Sequence, residues 1–349
     1  MLVRARSAYP LTAPGPRVRV QNLIPHLDAH GVQMAFDSTL SNCEYSAISS
    51  PGSRRSKLAI LARAANRLRK QADDDLSLVH RLLLLAAVPG LDPPRSIDIY
   101  DFDDALFLGS IGPTNRGGSI LKREAQRWHS YVSRARLVLA GNSYLAGHAR
   151  SAGARRVHVV PTCVDHERYR PAPHAEAESV VVGWIGSSST TPYLAPVLEA
   201  VERLNRHRTG RRIELRTVGA ALGEAPWLDQ RRWNLATEVD EIRGFDVGVM
   251  PMPDTDWARG KCGYKLIQYF AAGVPAIASP VGVATSMVGA TRGYTATTAR
   301  EWSDAIEALA GDAQERREMG EDARQFVADN YSYSRWAPEI ASMLKSLQA

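Results

Sequence analysis

Short runs rich in Val, Ile and Leu, each followed by an amphipathic stretch, recur along this chain and limit its fold more than any other feature. The clearest are 136–140 before 143–152 and 180–185 before 192–207, followed by 213–218, 247–250 and 276–279. A strand with one face in water alternates apolar and polar residues, whereas near-continuous apolar runs belong to strands covered on both faces, as in a parallel sheet. Parallel neighbours need crossover helices, so the alternation predicts βαβ units and an α/β fold. No repeat of solenoid period and no low-complexity block interrupts the pattern.

A chain of 349 residues is long for one core and suits two. The pattern breaks at 168–179, RYRPAPHAEAES, and VVVGWIG restarts it. The expected division is therefore 1–172, 173–330 and a C-terminal helix, 331–349, whose Trp336 needs a surface and finds it by returning toward the first domain. Apolar residues at 44% and charged residues at 23% are ordinary globular usage. The longest leucine-rich patch, 82–88, falls far short of the ~20 residues of a membrane helix. The three cysteines, Cys43, Cys163 and Cys262, lie far apart without metal-site spacing, so a cytoplasmic location is expected. A net charge of +6 calls for an anionic partner. Nucleic acid is not expected, because no basic run carries interleaved aromatics for stacking bases.

Two segments of the second half carry chemistry. In GWIGSSSTTPYL, 183–194, a strand runs into Gly186 and a hydroxyl series beginning Ser187, Ser188 and Ser189, with Pro192 suited to a first helical turn. Free backbone N–H groups, hydroxyls and a helix dipole suit a phosphate, although a plain N-cap would favour the same residues. The stretch 250–282 leaves a strand, passes Asp254 and Asp256, and enters a helix near Gly263 that buries Leu266, Ile267 and Phe270. In open α/β sheets ligands bind outside the carboxyl ends of the strands, where this loop and helix start belong. Of only six lysines in the chain, Lys261 and Lys265 fall here. Their i, i+4 spacing predicts one shared helix face, where two ammonium groups beside a helix N-terminus call for an anion; a solvated basic face is the alternative.

In the first half, IYDFDDALF, 99–107, ends a strand with Asp101, Asp103 and Asp104. The DxD spacing admits a metal-bridged diphosphate, an aspartate orienting a hydroxyl, or capping of a helix near Ala105. Gly15, Arg17 and Arg19 are expected in a loop running into a helix, where the sequence alone is equally compatible with a simply exposed Arg17. His80 and Arg81 at a strand end are weaker candidates. The segment 54–70 sets Leu58, Leu61, Ala65 and Leu68 along one helical face with Arg and Lys around the rest, which fits either an anionic membrane surface or a helix packed on its own domain.

The stretch GYKLIQYFAAGVPAIASPVG, 263–282, resembles the donor-binding signature of glycosyltransferase family 4, the group 1 glycosyltransferases. GNSYLAGHA, VVPTCVDHERY and IYDFDDALF resemble that family's N-terminal and linker segments, and the resemblance spans roughly 9–330. It implies a GT-B fold, two Rossmann-like domains with parallel sheets facing across a cleft. It also implies retaining transfer from a nucleoside-diphosphate sugar, with no cofactor besides that co-substrate; because Lys261, Lys265 and backbone donors already supply what a metal would, the transfer is expected to be metal-independent. The implied donor residues are Gly186, Ser187, Ser188, Ser189, Asp254, Gly263, Tyr264 and Gln268; Lys261, Lys265, Asp103 and Arg17 are the catalytic set. The acceptor is a lipid-linked or other hydroxyl compound, with 54–70 as a peripheral contact to the inner membrane face. The pattern departs from the family where two glutamates eight residues apart are replaced by Gly260 and Gln268. The arginine after the first glycine is also missing. A catalytically inactive sugar-nucleotide-binding protein is the rival reading. A dehydrogenase is disfavoured because no GxGxxG follows the first strand.

Overall fold

The structure is a computed structural model describing residues 1–49, 54–69, 76–88, 90–94, 97–109, 123–171, 178–207 and 210–348. The expected boundary at 172–173 lies outside these residues, as does Lys70 of the basic segment. The chain divides into two compact units. The first is Met1–Cys163 with Gly260–Cys262 and Tyr333–Ala349, and the second is Val164–Arg259 with Gly263–Ser332.

In the first unit the strands are β1 (Leu2–Ser7), β2 (Gln33–Ser38), β3 (Leu76–His80), β4 (Ile97–Phe102), β5 (Ala135–Ala140) and β6 (Val157–Val159). They form a six-stranded sheet in the order β2-β1-β3-β4-β5-β6, every pair parallel. The order reverses between β1 and β3. Helix Tyr333–Lys345 packs here through Tyr333, Ala337, Ile340, Ala341 and Leu344. The Tyr333 hydroxyl donates to the Val18 carbonyl at 2.7 Å, and Trp336 is partly buried against the same cluster.

The second unit holds β7 (Ser179–Ile185), β8 (Arg212–Val218), β9 (Leu228–Arg231), β10 (Val247–Met250), β11 (Ala276–Ala278) and β12 (Gly293–Thr295). Their order, β12-β11-β10-β7-β8-β9, is again parallel throughout. It is the 3-2-1-4-5-6 arrangement of a Rossmann sheet, whose order reverses between β7 and β10. Two glycines inside strands let large rings lie against the sheet. A Cβ on Gly183 would stand 2.0 Å from the Phe245 ring, and one on Gly248 would stand 2.3 Å from the Tyr269 ring. Tyr269 belongs to helix Tyr264–Ala271, and its hydroxyl accepts from Ile185 N at 3.2 Å and donates to Val249 O at 3.4 Å. That helix is thereby pinned to the carboxyl ends of β7 and β10.

Three local expectations are corrected. Gly15, Arg17 and Arg19 lie in a helix, Pro14–Arg19, because Pro14 and Pro16 preset helical φ at its start. The carboxylates at 101–104 do not cap a helix at Ala105; a short 3-10 turn, Leu106–Leu108, follows without a side-chain cap. Helix Arg54–Arg69 packs Ala65 and Leu68 of the expected stripe, together with Ile60 and Ala64, in one cluster with Leu40 and Leu84, but leaves Leu58 65% exposed. Two stripes of helical period were available there. Arg63 and Arg67 pairing with Glu44 selects between them by turning their side of the helix toward helix Asn42–Ser49.

Gly248→Ala should weaken the second unit. The new methyl meets a ring that cannot retreat from a parallel sheet, so the unfolding free energy is expected to fall by about 1–3 kcal/mol. An unchanged urea midpoint for this variant would show that the Tyr269 ring does not lie flat on β10.

Candidate functional site

In the second unit, β7 ends at Ile185 and Gly186 donates its N–H to Val218 O at 3.0 Å. A Cβ on Gly186 would stand 2.5 Å from the Trp184 ring, so glycine is what admits that ring here, and 3.1 Å from Lys265 Cε, which sets the lysine close against the turn. Lys265 Nζ lies 5.4 Å from the centre of the Trp184 ring, within cation–π range. Ser187 and Ser189 share a hydroxyl contact of 2.8 Å, and the Thr190 and Thr191 hydroxyls bond back to the Ser187 and Ser188 carbonyls. The loop continues as a 3-10 helix, Ser188–Leu194, containing Pro192, and the α-helix begins only at Ala195. All four hydroxyl residues from Ser187 to Thr190 sit near the surface at the β7 end.

Helix Tyr264–Ala271 starts beside this loop, after Gly263 in a left-handed conformation at φ 67°. That corrects the expected lysine pair. Lys261 precedes the helix and belongs to the first unit, where its ammonium pairs with Asp104 at 2.6 Å. The left-handed Gly263 breaks the helical path that i, i+4 spacing assumed. Gln268 is buried, and its amide donates to the Tyr169 hydroxyl and to Glu238 Oε1, each at 3.1 Å. Glu238 Oε2 accepts from the Trp233 indole at 2.6 Å. Burial, reinforced by Glu238, pushes the Tyr169 hydroxyl up to about 12. Tyr264 is half-buried within hydrogen-bonding reach of that hydroxyl. Asp254 and Asp256 are exposed, and Arg259 grips Asp254 through two contacts of 2.8 and 2.9 Å.

The first unit gathers buried charge at the carboxyl ends of β3 and β4. Asp101 accepts from Arg19 and from His80 Nδ1, the latter at 2.7 Å, while Arg19 also donates to Val160 O at 2.7 Å. Asp103 pairs with Arg81 Nε at 2.6 Å, and Asp104 is shared between Arg81 at 2.8 Å and Lys261. Burial raises the Asp101 and Asp103 carboxyls, but Arg19 with His80, and Arg81, outweigh it and hold both below the ordinary carboxylate range. Asn142 caps helix Ser143–Ser151 through Leu145 N at 2.9 Å and donates to Gly260 O and Lys261 O at 3.1 and 3.2 Å. Cys262 Sγ donates to Asp103 O at 3.3 Å. A Cβ on Gly260 would stand 2.7 Å from Ala105 Cβ, so no glutamate fits there. Arg17 is buried, with a guanidinium nitrogen 3.5 Å from Leu11 O. Among the described residues no cluster of His, Cys, Asp and Glu has the form of a metal site.

Of the expected donor residues, the structure brings Lys265 up to Gly186, the glycine that opens the serine series. Sequence reasoning missed Trp233, Glu238, Tyr169 and Trp184 in the second unit, and the Arg19–Asp101–His80 cluster in the first. The signal for Trp233 and Glu238 is slight: a tryptophan five residues before an acidic first helical turn, just past a strand.

Two parallel-sheet units of this topology in one chain define the GT-B architecture. No protein-family profile matches the chain, and no curated protein matches it by sequence. Among solved structures it is similar to sucrose-phosphate synthase from Thermosynechococcus elongatus, with 13% identity over 99% of both chains and a TM-score of 0.71. The HepE protein of Anabaena, solved in complex with UDP and glucose, is 14% identical over 99% of this chain and 100% of its own, with a TM-score of 0.67. A glycosyltransferase from Rickettsia africae is 12% identical over 99% of this chain and 98% of its own, with a TM-score of 0.65. At these identities the likeness is one of fold. Among the described residues no helix is long and apolar enough to cross a membrane.

Asp101→Asn should destabilise the protein by about 3–5 kcal/mol, because it leaves the buried Arg19 uncompensated. A carboxyl depressed by folding stabilises above its unfolded pKa of ~3.9, and that stabilisation is lost as pH falls toward the folded value. The variant's stability should therefore vary less with pH on the acid side. Wild-type acid unfolding in the variant would remove Asp101 from that role.

Proposed function

We propose that the protein transfers a glycosyl group from a nucleoside-diphosphate sugar to an acceptor hydroxyl, with retention of anomeric configuration, and that the second unit holds the donor. The observation that carries this reading is the approach of Lys265 to Gly186 at the β7/β10 reversal, beside the start of helix Tyr264–Ala271. An ammonium, backbone N–H groups and a helix N-terminus there favour one kind of ligand, a compact anion such as a diphosphate. Solved chains of the same fold that bind UDP, or are glycosyltransferases, support it.

No enzyme nucleophile is needed for such transfer. The fixed positive groups stabilise the departing diphosphate, where charge develops as the glycosidic bond breaks. Lys265 is the group placed for this. Lys261 serves through its pair with Asp104, which fixes the acidic turn after β4. The carboxylates that could bridge a metal are already neutralised, Asp101 by Arg19, Asp103 by Arg81, and Asp104 by Arg81 and Lys261, which supports metal-independent chemistry. Asp254 contacts a donor sugar only if it leaves Arg259. The acceptor, lipid-linked or otherwise, and a membrane contact through 54–70 are parts of the proposal that rest on the basic helix and its exposed Leu58.

The inactive binding protein is favoured by one observation, the packing of Gly260 on Ala105 that excludes a carboxylate at that position. Donor consumption separates the two readings: binding of nucleoside diphosphate without turnover over a broad acceptor panel sustains the binding protein. Transfer is expected to persist in excess EDTA; full loss restored by Mn²⁺ would assign the diphosphate to a metal instead.

Lys265→Ala is expected to lower kcat by roughly a hundredfold or more, the scale of losing one preorganised donor to a developing anion. Gln268→Ala should cost less: Gln268 is buried and holds Tyr169 and Glu238 instead of the ribose expected from the sequence, so the variant loses only those hydrogen bonds, worth about 0.5–1.5 kcal/mol apiece. Steady-state kinetics showing intact turnover in Lys265→Ala and none in Gln268→Ala would displace the diphosphate from this site.

A further inference from the structure

The large hydrophobic side chains of the second unit are buried or partly buried, apart from two among the described residues. Trp233 is 39% exposed and Leu235 is 41% exposed, and both lie on the single loop that follows β9. Because β9 runs parallel to β8, this loop leaves from the carboxyl end of the sheet; Gly219 N, just past β8, donates to Arg231 O at 2.9 Å. Gly219 adopts φ 95°, and a Cβ there would stand 3.2 Å from Trp233 Cβ and 2.4 Å from Gly186 O. Gly219 thus lets the Trp233 loop close directly onto the Gly186 turn. The ring is also fixed in place. Its indole N–H donates to Glu238, and Glu238 in turn receives the amide of buried Gln268, which donates to Tyr169 as well.

A large aromatic side chain held by a hydrogen bond and still open to water is ready to stack without losing further conformational freedom. The neighbouring Gly186 and Lys265 suit a diphosphate, so the ligand that reaches this ring is one whose charged end lies at Gly186 and whose flat, apolar-faced end lies over β8. We propose that Trp233 is the stacking platform for the base of a nucleoside diphosphate, and that Glu238 is the positioning residue that locks the indole and the Gln268 amide in register with it. This rests on the donor reading given above. Stacking accepts any base by its face, so Trp233 supplies affinity for nucleosides as a class, and discrimination among bases falls to other groups.

Calorimetric titration of the full-length protein with UDP, ADP and GDP, and separately with inorganic pyrophosphate, tests this. Trp233→Ala is expected to weaken the tightest-binding nucleoside diphosphate by on the order of tenfold or more, the scale of one stacked base, while pyrophosphate affinity stays at the wild-type value. Trp233→Phe, which keeps a ring, should recover most of the loss. Glu238→Gln should weaken nucleoside diphosphates and leave pyrophosphate unchanged. Nucleotide should quench the tryptophan emission of the wild type more than that of Trp233→Phe. Wild-type nucleotide affinity in Trp233→Ala overturns the proposal, as does an equal loss of nucleotide and pyrophosphate, which would mean that the ring acts only through folding. A wild-type protein that binds neither nucleotide nor pyrophosphate brings down the donor reading, and this inference with it.

Discussion

A parallel sheet buried on both faces leaves its covering helices little freedom, and in the second unit the contact that decides where one of them stops is a tyrosine ring lying on a glycine. Gly248 makes room for Tyr269, Gly183 makes room for Phe245, and the Tyr269 hydroxyl bonds to the backbone of both β7 and β10. Through this contact helix Tyr264–Ala271 is held with its first residues at the strand ends. Lys265 follows from it, since a residue at the second helical position can reach Gly186 only if the helix starts at that height. Gln268, one turn on, is directed inward to Tyr169 and Glu238 for the same reason.

The first unit is organised by charge. Arg19, His80, Arg81 and Lys261 converge on Asp101, Asp103 and Asp104 at the ends of β3 and β4. Taking so many charges out of water is expensive unless each is paired, and every carboxylate here has at least one cationic partner. Such a cluster contributes little net stability over an apolar core but penalises strongly any arrangement that separates its members. Rigidity at the strand ends is the consequence. Asn142 extends that order to the backbone of Gly260 and Lys261, which belong to the same unit.

The two units differ in how they treat polar groups at corresponding places. At the β7 end hydroxyls curl back on their own loop and the surface stays open, with Lys265 against an aromatic face. At the β4 end the polar groups are saturated by one another. A site that must bind and release a charged ligand needs the former, and a scaffold that must keep its shape is served by the latter. His80 is the exception at that end, since its Nδ1 is committed to Asp101 while its buried Nε2, which faces Gly15, has no hydrogen-bond partner among the described residues.

Periodicity alone determined a good deal about this protein. The apolar runs at 136–140, 180–185, 213–218, 247–250 and 276–279 became β5, β7, β8, β10 and β11, because such runs have no other way to hide both faces. The placement of Gly186 and Lys265 near strand ends followed from the same alternation, since a loop between a strand and its crossover helix must lie at a sheet edge. What periodicity could not supply was any fact that depends on which distant surface a residue meets. Helix Arg54–Arg69 offered two apolar stripes, and Glu44 chose between them. Lys261 and Lys265 looked like one face of one helix until Gly263, at positive φ, separated them and Asp104 claimed the first. Trp233 and Glu238 carried no motif, and they matter because Gly219 lets their loop close on Gly186. Local pattern fixes which residues must be covered, while the partner that covers each one is set by long-range packing and by the pairing of buried charge, which only the folded chain decides.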